Sequence, residues 1–130
     1  MNIENRNDYI NYRYQRAKDT FEEAEILAQS ERWNAVVNRL YYSCFYAVTA
    51  LLLKNDVATL THDGVRTQFG LVFVKTGLID RRFGRLFSKL FDYRKKGDYG
   101  DLFDFDDEMV VPLMEEVRVF LRELDRHLLT

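Results

Sequence analysis

The stretch 34–53, NAVVNRLYYSCFYAVTALLL, restricts the fold more than any other part of the chain, because no other run is so densely apolar. At helical spacing Val37, Tyr41, Cys44, Val48 and Leu51 form an unbroken stripe. Leu40, Phe45, Ala47 and Leu52 widen it until the helix is apolar around most of its circumference. A soluble surface cannot carry such a helix, so other helices have to wrap it. Asn38, Arg39 and Ser43 nevertheless sit beside Tyr41, Tyr42 and Tyr46. Polar groups so placed need partners, so the helix is expected to join a hydrogen-bond network or to line a site. For the three tyrosine hydroxyls the expected partners are Asn38, Arg39 or a ligand.

The 130 residues make one domain, long enough for a sizeable core and too short for two. One proline and six glycines leave long uninterrupted stretches, which favours helices over a many-turned β fold. A net charge of −2 excludes a chain-wide electrostatic footprint for nucleic acid and leaves room only for a local one. The single cysteine rules out an intrachain disulfide and a structural zinc set. Its place inside the apolar stripe makes Cys44 a core residue rather than a nucleophile. The polar opening Met1 to Asp8 lacks the form of a signal peptide. The uncharged run Leu40 to Leu53 falls short of the roughly 20 residues that span a bilayer. A cytoplasmic chain with no membrane partner is expected.

Five helices are expected. The first covers about Asn5 to Gln29, with Ile10, Tyr14, Ala17, Phe21, Ala24 and Ala28 inward and Arg13, Arg16, Lys18, Glu22, Glu23 and Glu25 outward. The brief link Ser30 to Arg32 implies an antiparallel hairpin with the central helix. Thr61 is a good N-cap and Asp63 suits the positive end of a third helix, which runs to about Lys75 and stops at Gly77. Asp80 is placed to cap a fourth, carrying Phe83, Leu86, Phe87, Leu90 and Phe91 inward and ending at Gly97. Asp98 to Glu108 reads as an acidic, aromatic connector. Pro112 suits a first helical position, so the fifth helix is expected to begin near Val111 after a preliminary turn. The architecture is all-α, a single helical bundle over residues 1–130.

Chemistry concentrates at the end of the fourth helix. Arg81, Arg82, Arg85, Lys89, Arg94, Lys95 and Lys96 crowd it, and Asp98, Asp101, Asp104, Asp106, Asp107 and Glu108 follow at once. A basic segment running into an acidic one suits a phosphate with a ribose or base beside it. Cations at a helix C-terminus and charge blocks paired across a surface explain the same residues, and residues alone favour that plainer account. Glu123 and His127 share a helical face, but neither histidine has a glutamate three residues before it, so no metal is expected. His127 reads as a favourable charge at a helix end and His62 as a capping or surface residue. No glycine-rich phosphate loop or nucleophile elbow is present, and no cofactor is expected.

Asn38-Arg39-Leu40-Tyr41-Tyr42-Ser43-Cys44-Phe45-Tyr46-Ala47 resembles the central-helix motif of HEPN domains, in which Asn/Ser-Arg-x-Tyr-Tyr leads into small and aromatic residues. Thr61-His62-Asp63-Gly64-Val65, with Phe69 and Val74-Lys75-Thr76-Gly77, is similar to their third helix. The family's Arg-x-x-x-Asp-Tyr pattern appears as Arg94-Lys95-Lys96-Gly97-Asp98-Tyr99. The likeness spans about Asp8 to Leu124.

The resemblance implies an antiparallel four-helix bundle with an additional short helix, commonly a homodimer. It also implies a minimal nucleotidyltransferase as partner in a toxin–antitoxin-like pair, and binding of a nucleotide or RNA. Metal-independent ribonucleases of the family use an arginine followed after four to six residues by a histidine; here Arg94 has no histidine in that window. Tyrosine, with an ordinary pKa near ~10, is a poor substitute in acid–base work. The expected site is therefore a binding site: Arg94 clamping phosphate, Asp98 and Tyr99 beside it, and Asn38, Arg39 and Tyr42 lining the cleft. No catalytic residue is assigned. Two other readings stand beside it, a protein-interaction module using the segment Asp98 to Glu108 and, third, a ribonuclease working without histidine.

Overall fold

The computed structural model describes residues 3–59, 61–99 and 104–129, with the side chains at 3, 4, 98 and 99 outside that description. Its helices are α1 (Ile3–Gln29), α2 (Trp33–Lys54), α3 (His62–Phe69), α4 (Arg81–Tyr99) and α5 (Asp107–Leu128). Among the described residues there is no strand. The chain is an antiparallel four-helix bundle with the short α3 added.

Helix α2 is the axis of the bundle, packing against α1, α3, α4 and α5. Val36, Leu40, Tyr41, Cys44, Ala47, Val48 and Leu51 are wholly buried along it. Burying a residue the size of leucine or valine stabilises by about 1.5–3 kcal/mol, so this helix supplies much of the core energy. By length and composition α2 is apolar enough to cross a membrane, longer than the uncharged run alone suggested; here its apolar surface faces the other helices. Cys44 is in the core, where burial raises its thiol pKa and keeps it inert. The buried Ser43 hydroxyl donates to the Ala17 carbonyl of α1 at 2.7 Å, closing the hairpin with a polar contact inside an apolar seam.

The α1–α2 link reverses through Glu31 in the left-handed region (φ 56°). The amides of Glu31 and Arg32 return to the carbonyls of Ala28 and Leu27 at 3.0 and 3.1 Å, which satisfies the end of α1. Thr61 caps α3 by accepting from the Gly64 amide at 2.9 Å, and Asp80 accepts from the Arg82 amide at 2.9 Å before α4. Gly77 (φ 82°) ends the third helical segment, as a C′ glycine should.

Three expectations are corrected. The third helix does not continue as regular α-helix to Lys75: residues 70–74 form a π turn in which the Lys75 amide bonds the Gly70 carbonyl at 2.8 Å. Helix α4 passes through Gly97 to Tyr99, since a helix interior tolerates glycine at a cost of only about 1 kcal/mol. Helix α5 starts at Asp107, ahead of Pro112 rather than with it. Asp106 caps it by accepting from the Met109 amide at 3.0 Å, which fixes the first turn before the proline is reached. Pro112 then costs one bond, to a carbonyl on exposed Glu108 that water can satisfy.

Candidate nucleotide-binding cleft

Three helices converge where α2 carries Tyr41 and Tyr42. The fully buried Tyr41 ring stacks on Phe87 of α4 (centroids 5.9 Å, 7° between planes) and meets Tyr42 edge-on at 5.1 Å. Arg94 comes from the last turns of α4, three residues beyond the buried Phe91, and so lies on the inner side of that helix. Its guanidinium carbon stands 4.9 Å from the Tyr41 centroid and 5.8 Å from those of Tyr42 and Phe91. Nη1 donates to the Tyr42 hydroxyl at 3.2 Å. Nε is buried and has no hydrogen-bond partner among the described residues.

Arg39 also approaches Tyr42, 5.4 Å from its centroid. Its Nε and Nη2 both donate to Oδ1 of Asn38, at 3.1 and 2.8 Å, and Glu23 is its carboxylate neighbour at 3.8 Å. The structure thus brings Arg94, Tyr42, Arg39 and Asn38 into one cluster, with two guanidinium groups on a single tyrosine. Asp98 and Tyr99 belong to the final turn of α4, but their side chains lie outside the described residues.

The hydroxyl partners differ from those expected. Tyr41 pairs with His62, Tyr42 with Arg94, and Tyr46 accepts from Arg16 Nη2 at 3.0 Å. The reason is reach: side chains of adjacent helices meet across the interface, whereas Asn38 and Arg39 are occupied with each other.

His62 is also placed differently. Rather than capping α3 or lying free on the surface, its ring stacks on Phe45 at 4.5 Å and Nδ1 lies 2.7 Å from the Tyr41 oxygen. It stands in the wall of a cavity of about 330 Å³ that also includes Tyr9, Arg13 and Thr49. Burial, with Arg94 nearby, lowers the His62 pKa below its usual 6.5, against the opposing pull of Asp63. Burial raises the Tyr41 pKa, so its hydroxyl stays protonated and can donate to a neutral imidazole. The sequence held one signal for this pairing: a tyrosine in the middle of an apolar stripe needs a polar partner from elsewhere.

The remaining histidine stays on α5, with Nε2 3.6 Å from Glu123, whose other partner Arg126 is 2.6 Å away. The acidic connector is partly consumed by the fold. Phe105 is buried against Tyr93 at 5.2 Å, and its amide donates to Asn34 Oδ1 at 2.8 Å.

The model of the HEPN domain matches residues 10–127. A Thermotoga maritima protein named UPF0332 protein is 37% identical over 117 residues, covering 90% of this chain and 89% of its own length. Two Methanocaldococcus jannaschii proteins carry the names "Putative toxin MJ0142" and "Putative toxin MJ0605". The first is 30% identical over 116 residues, covering 89% of this chain and 79% of itself. The second is 36% identical over 83 residues, covering 64% and 62%. With a match across nearly the whole bundle and relatives at this identity, the chain belongs to the HEPN domain family.

Proposed function

We propose that this protein binds a nucleotide or RNA segment in the Arg94 cleft and acts as one component of a toxin–antitoxin-like pair with a minimal nucleotidyltransferase. The observation that carries the binding reading is the state of Arg94. It is a half-buried cation on three aromatic rings, with a buried Nε lacking a partner and no carboxylate within ion-pair distance among the described residues. A partly desolvated guanidinium with no counter-charge among the described residues favours an anion, and phosphate matches its fork of donors. Arg39 supplies a second positive charge beside the same ring. Tyr42 holds Arg94 through its hydroxyl and Arg39 beside its ring, and Asp98 and Tyr99, next along α4, are the residues we assign to the ribose or base.

Binding fits better than cleavage because Arg94 lacks the histidine that follows the family's catalytic arginine. His62 is engaged with Tyr41 on a different helix. The toxin names of two relatives support the paired setting, and a homodimer is the assembly we assign to the bundle. The interaction-module reading would rest on the exposed acids Asp104, Asp106, Asp107 and Glu108, since Phe105 of the same segment is buried within the fold.

The test is titration of the purified protein with mononucleotides and short RNAs, read by thermal shift, with Arg94→Ala in parallel. Saturable stabilisation lost in the variant supports the site. Unchanged ligand affinity in a folded Arg94→Ala protein overturns it. For the partner, growth arrest on expression of this chain, relieved by a co-expressed nucleotidyltransferase, is expected.

A further inference from the structure

A second basic feature lies between α3, the π turn and α4; its Arg66 stands over Phe91 at 4.2 Å, the ring that Arg94 also approaches. We propose that the groove between the π turn 70–74 and α4 binds the phosphodiester backbone of a single-stranded nucleic acid. It is an open groove of about 990 Å³ with Arg66, Arg81, Arg85, Lys89 and Lys95 along its walls. This site stands whether or not the Arg94 cleft holds a nucleotide.

Three observations carry it. First, the charges form a track. Arg81, Arg85 and Lys89 recur at one-turn intervals on the exposed face of α4, over about 12 Å of helix at 1.5 Å per residue, and Lys95, over Phe91 at 4.6 Å, stands further along the groove. Like charges one turn apart destabilise a helix, so the row is kept against local stability. Second, the track is under-neutralised. Asp92 is the one carboxylate in the groove wall, and it and Asp63 both lean on Arg66, at 4.0 and 3.3 Å. Arg81, Arg85, Lys89 and Lys95 have no ion pair among the described residues. Arg85 and Lys89 also border the α5 side of the helix, where Glu115 and Glu116 lie with Arg82, so Arg81 and Lys95 are the track residues that line only the groove.

Third, the groove has an apolar floor with an aromatic wall. Gly84 lets α4 approach the π turn so closely that a Cβ there would sit 3.2 Å from a Val74 methyl carbon. Phe69, Val74 and Phe87 form the floor, and half-buried Tyr93 stands beside Lys89 at 5.6 Å. A cationic groove with an aromatic ring at its side suits a single strand, whose phosphates follow the charges while a base can stack. The chain's overall negative charge makes this local concentration a directional one.

The experiment measures fluorescence anisotropy of labelled oligo(U) and oligo(dT) across a salt series. It compares the wild type with Arg81→Gln/Arg85→Gln, and with Lys18→Gln/Arg122→Gln as a control of equal charge change elsewhere. Circular dichroism melts confirm folding, and Arg81→Lys/Arg85→Lys is the charge-preserving rescue.

Loss of two phosphate contacts should make the log–log salt slope shallower by about 1.4 in the glutamine variant, with the slope restored by the lysines. Oligo(U) and oligo(dT) should bind within a few-fold of each other, as backbone contacts carry no base information. Mononucleotide thermal shifts, which report the Arg94 cleft, should be unchanged in the variant, so failure at one site is distinguishable from failure at the other. The proposal is overturned if the wild type binds neither oligomer, or if the two glutamine pairs weaken binding equally. Displacement of the oligomer by polyglutamate at matched charge would also overturn it, pointing instead to an acidic protein.

Discussion

The phenolic oxygen of Tyr41 and Nδ1 of His62 lie 2.7 Å apart, tying a fully buried ring on the central helix to the first turn of α3. A neutral imidazole accepts from a protonated phenol, and both pKa shifts favour that pair of states: Tyr41 raised by burial, His62 lowered by burial and Arg94.

The sign of the pH dependence follows. A histidine whose folded pKa is depressed binds fewer protons folded than unfolded in the interval below 6.5. Its contribution to stability is present above pH 6.5 and is lost as pH falls through the lower, folded value. Urea melts at pH 7.5 and pH 5.5 should therefore show a larger acid-induced loss in the wild type than in His62→Gln. Tyr41→Phe should cost about 1 kcal/mol at neutral pH, the usual net worth of one such bond. Equal pH slopes in wild type and His62→Gln would contradict the coupling.

Arg94 and His62 are coupled through charge although they bond different tyrosines. Arg94 disfavours imidazolium, so its removal should raise the His62 pKa. NMR titration of the His62 ring in Arg94→Ala is expected to show a midpoint above that of the wild type, with Arg94→Lys close to wild type. A phosphate-bearing ligand in the cleft should move the midpoint in the same direction as Arg94→Ala, by neutralising the guanidinium. An unmoved midpoint in Arg94→Ala would separate the two residues electrostatically.

The bundle was legible because its determinants are local. The apolar stripe of α2, the threonine and aspartate caps, and the inward sets of α4 and α5 are all patterns of period 3.6 or single-residue signals. The π turn was not legible, since one extra residue per turn in 70–74 leaves an apolar pattern that fits an ordinary helix equally well. The start of α5 was misplaced because proline reports a missing donor without saying how many turns precede it. Arg94 stood out in its basic segment, and it was grouped with Tyr42, Arg39 and Asn38 through the resemblance to the HEPN motifs; the contacts that join the four come from the packing of α2 against α4. His62 was missed because its role depends on which rings of another helix lie beneath it. That is a tertiary fact with no sequence period.

Two residues in left-handed backbone give opposite expectations. Glu31 (φ 56°) bears a side chain where glycine fits better, and Gly77 (φ 82°) is already a glycine with open space around it. Glu31→Gly should stabilise by about 0.5 kcal/mol, the relieved strain exceeding the added unfolded-state entropy. Gly77→Ala should destabilise by about 1 kcal/mol through backbone strain alone, as no neighbour is struck. Chemical denaturation midpoints at constant m-value decide both, and a shared sign would refute the backbone argument.

Asn34 is the clasp that holds the connector to the start of α2. Its Oδ1 accepts from the Phe105 amide at 2.8 Å and its Nδ2 donates to Asp104 at 3.2 Å. Phe105 in turn packs on Tyr93, the residue before Arg94. Asn34→Ala removes the acceptor from a part-buried amide, which should cost about 1–2 kcal/mol. Hydrogen exchange at Phe105 should accelerate while exchange in the middle of α2 changes only as far as global stability does. Asn34→Asp keeps an acceptor for the amide but sets a second carboxylate against Asp104. It should be milder than Asn34→Ala at low pH, where both acids are protonated, and lose that advantage as pH rises. If exchange at Phe105 were the same in all three proteins, the clasp would be elsewhere, and the position of Arg94 would depend on the α4 core alone.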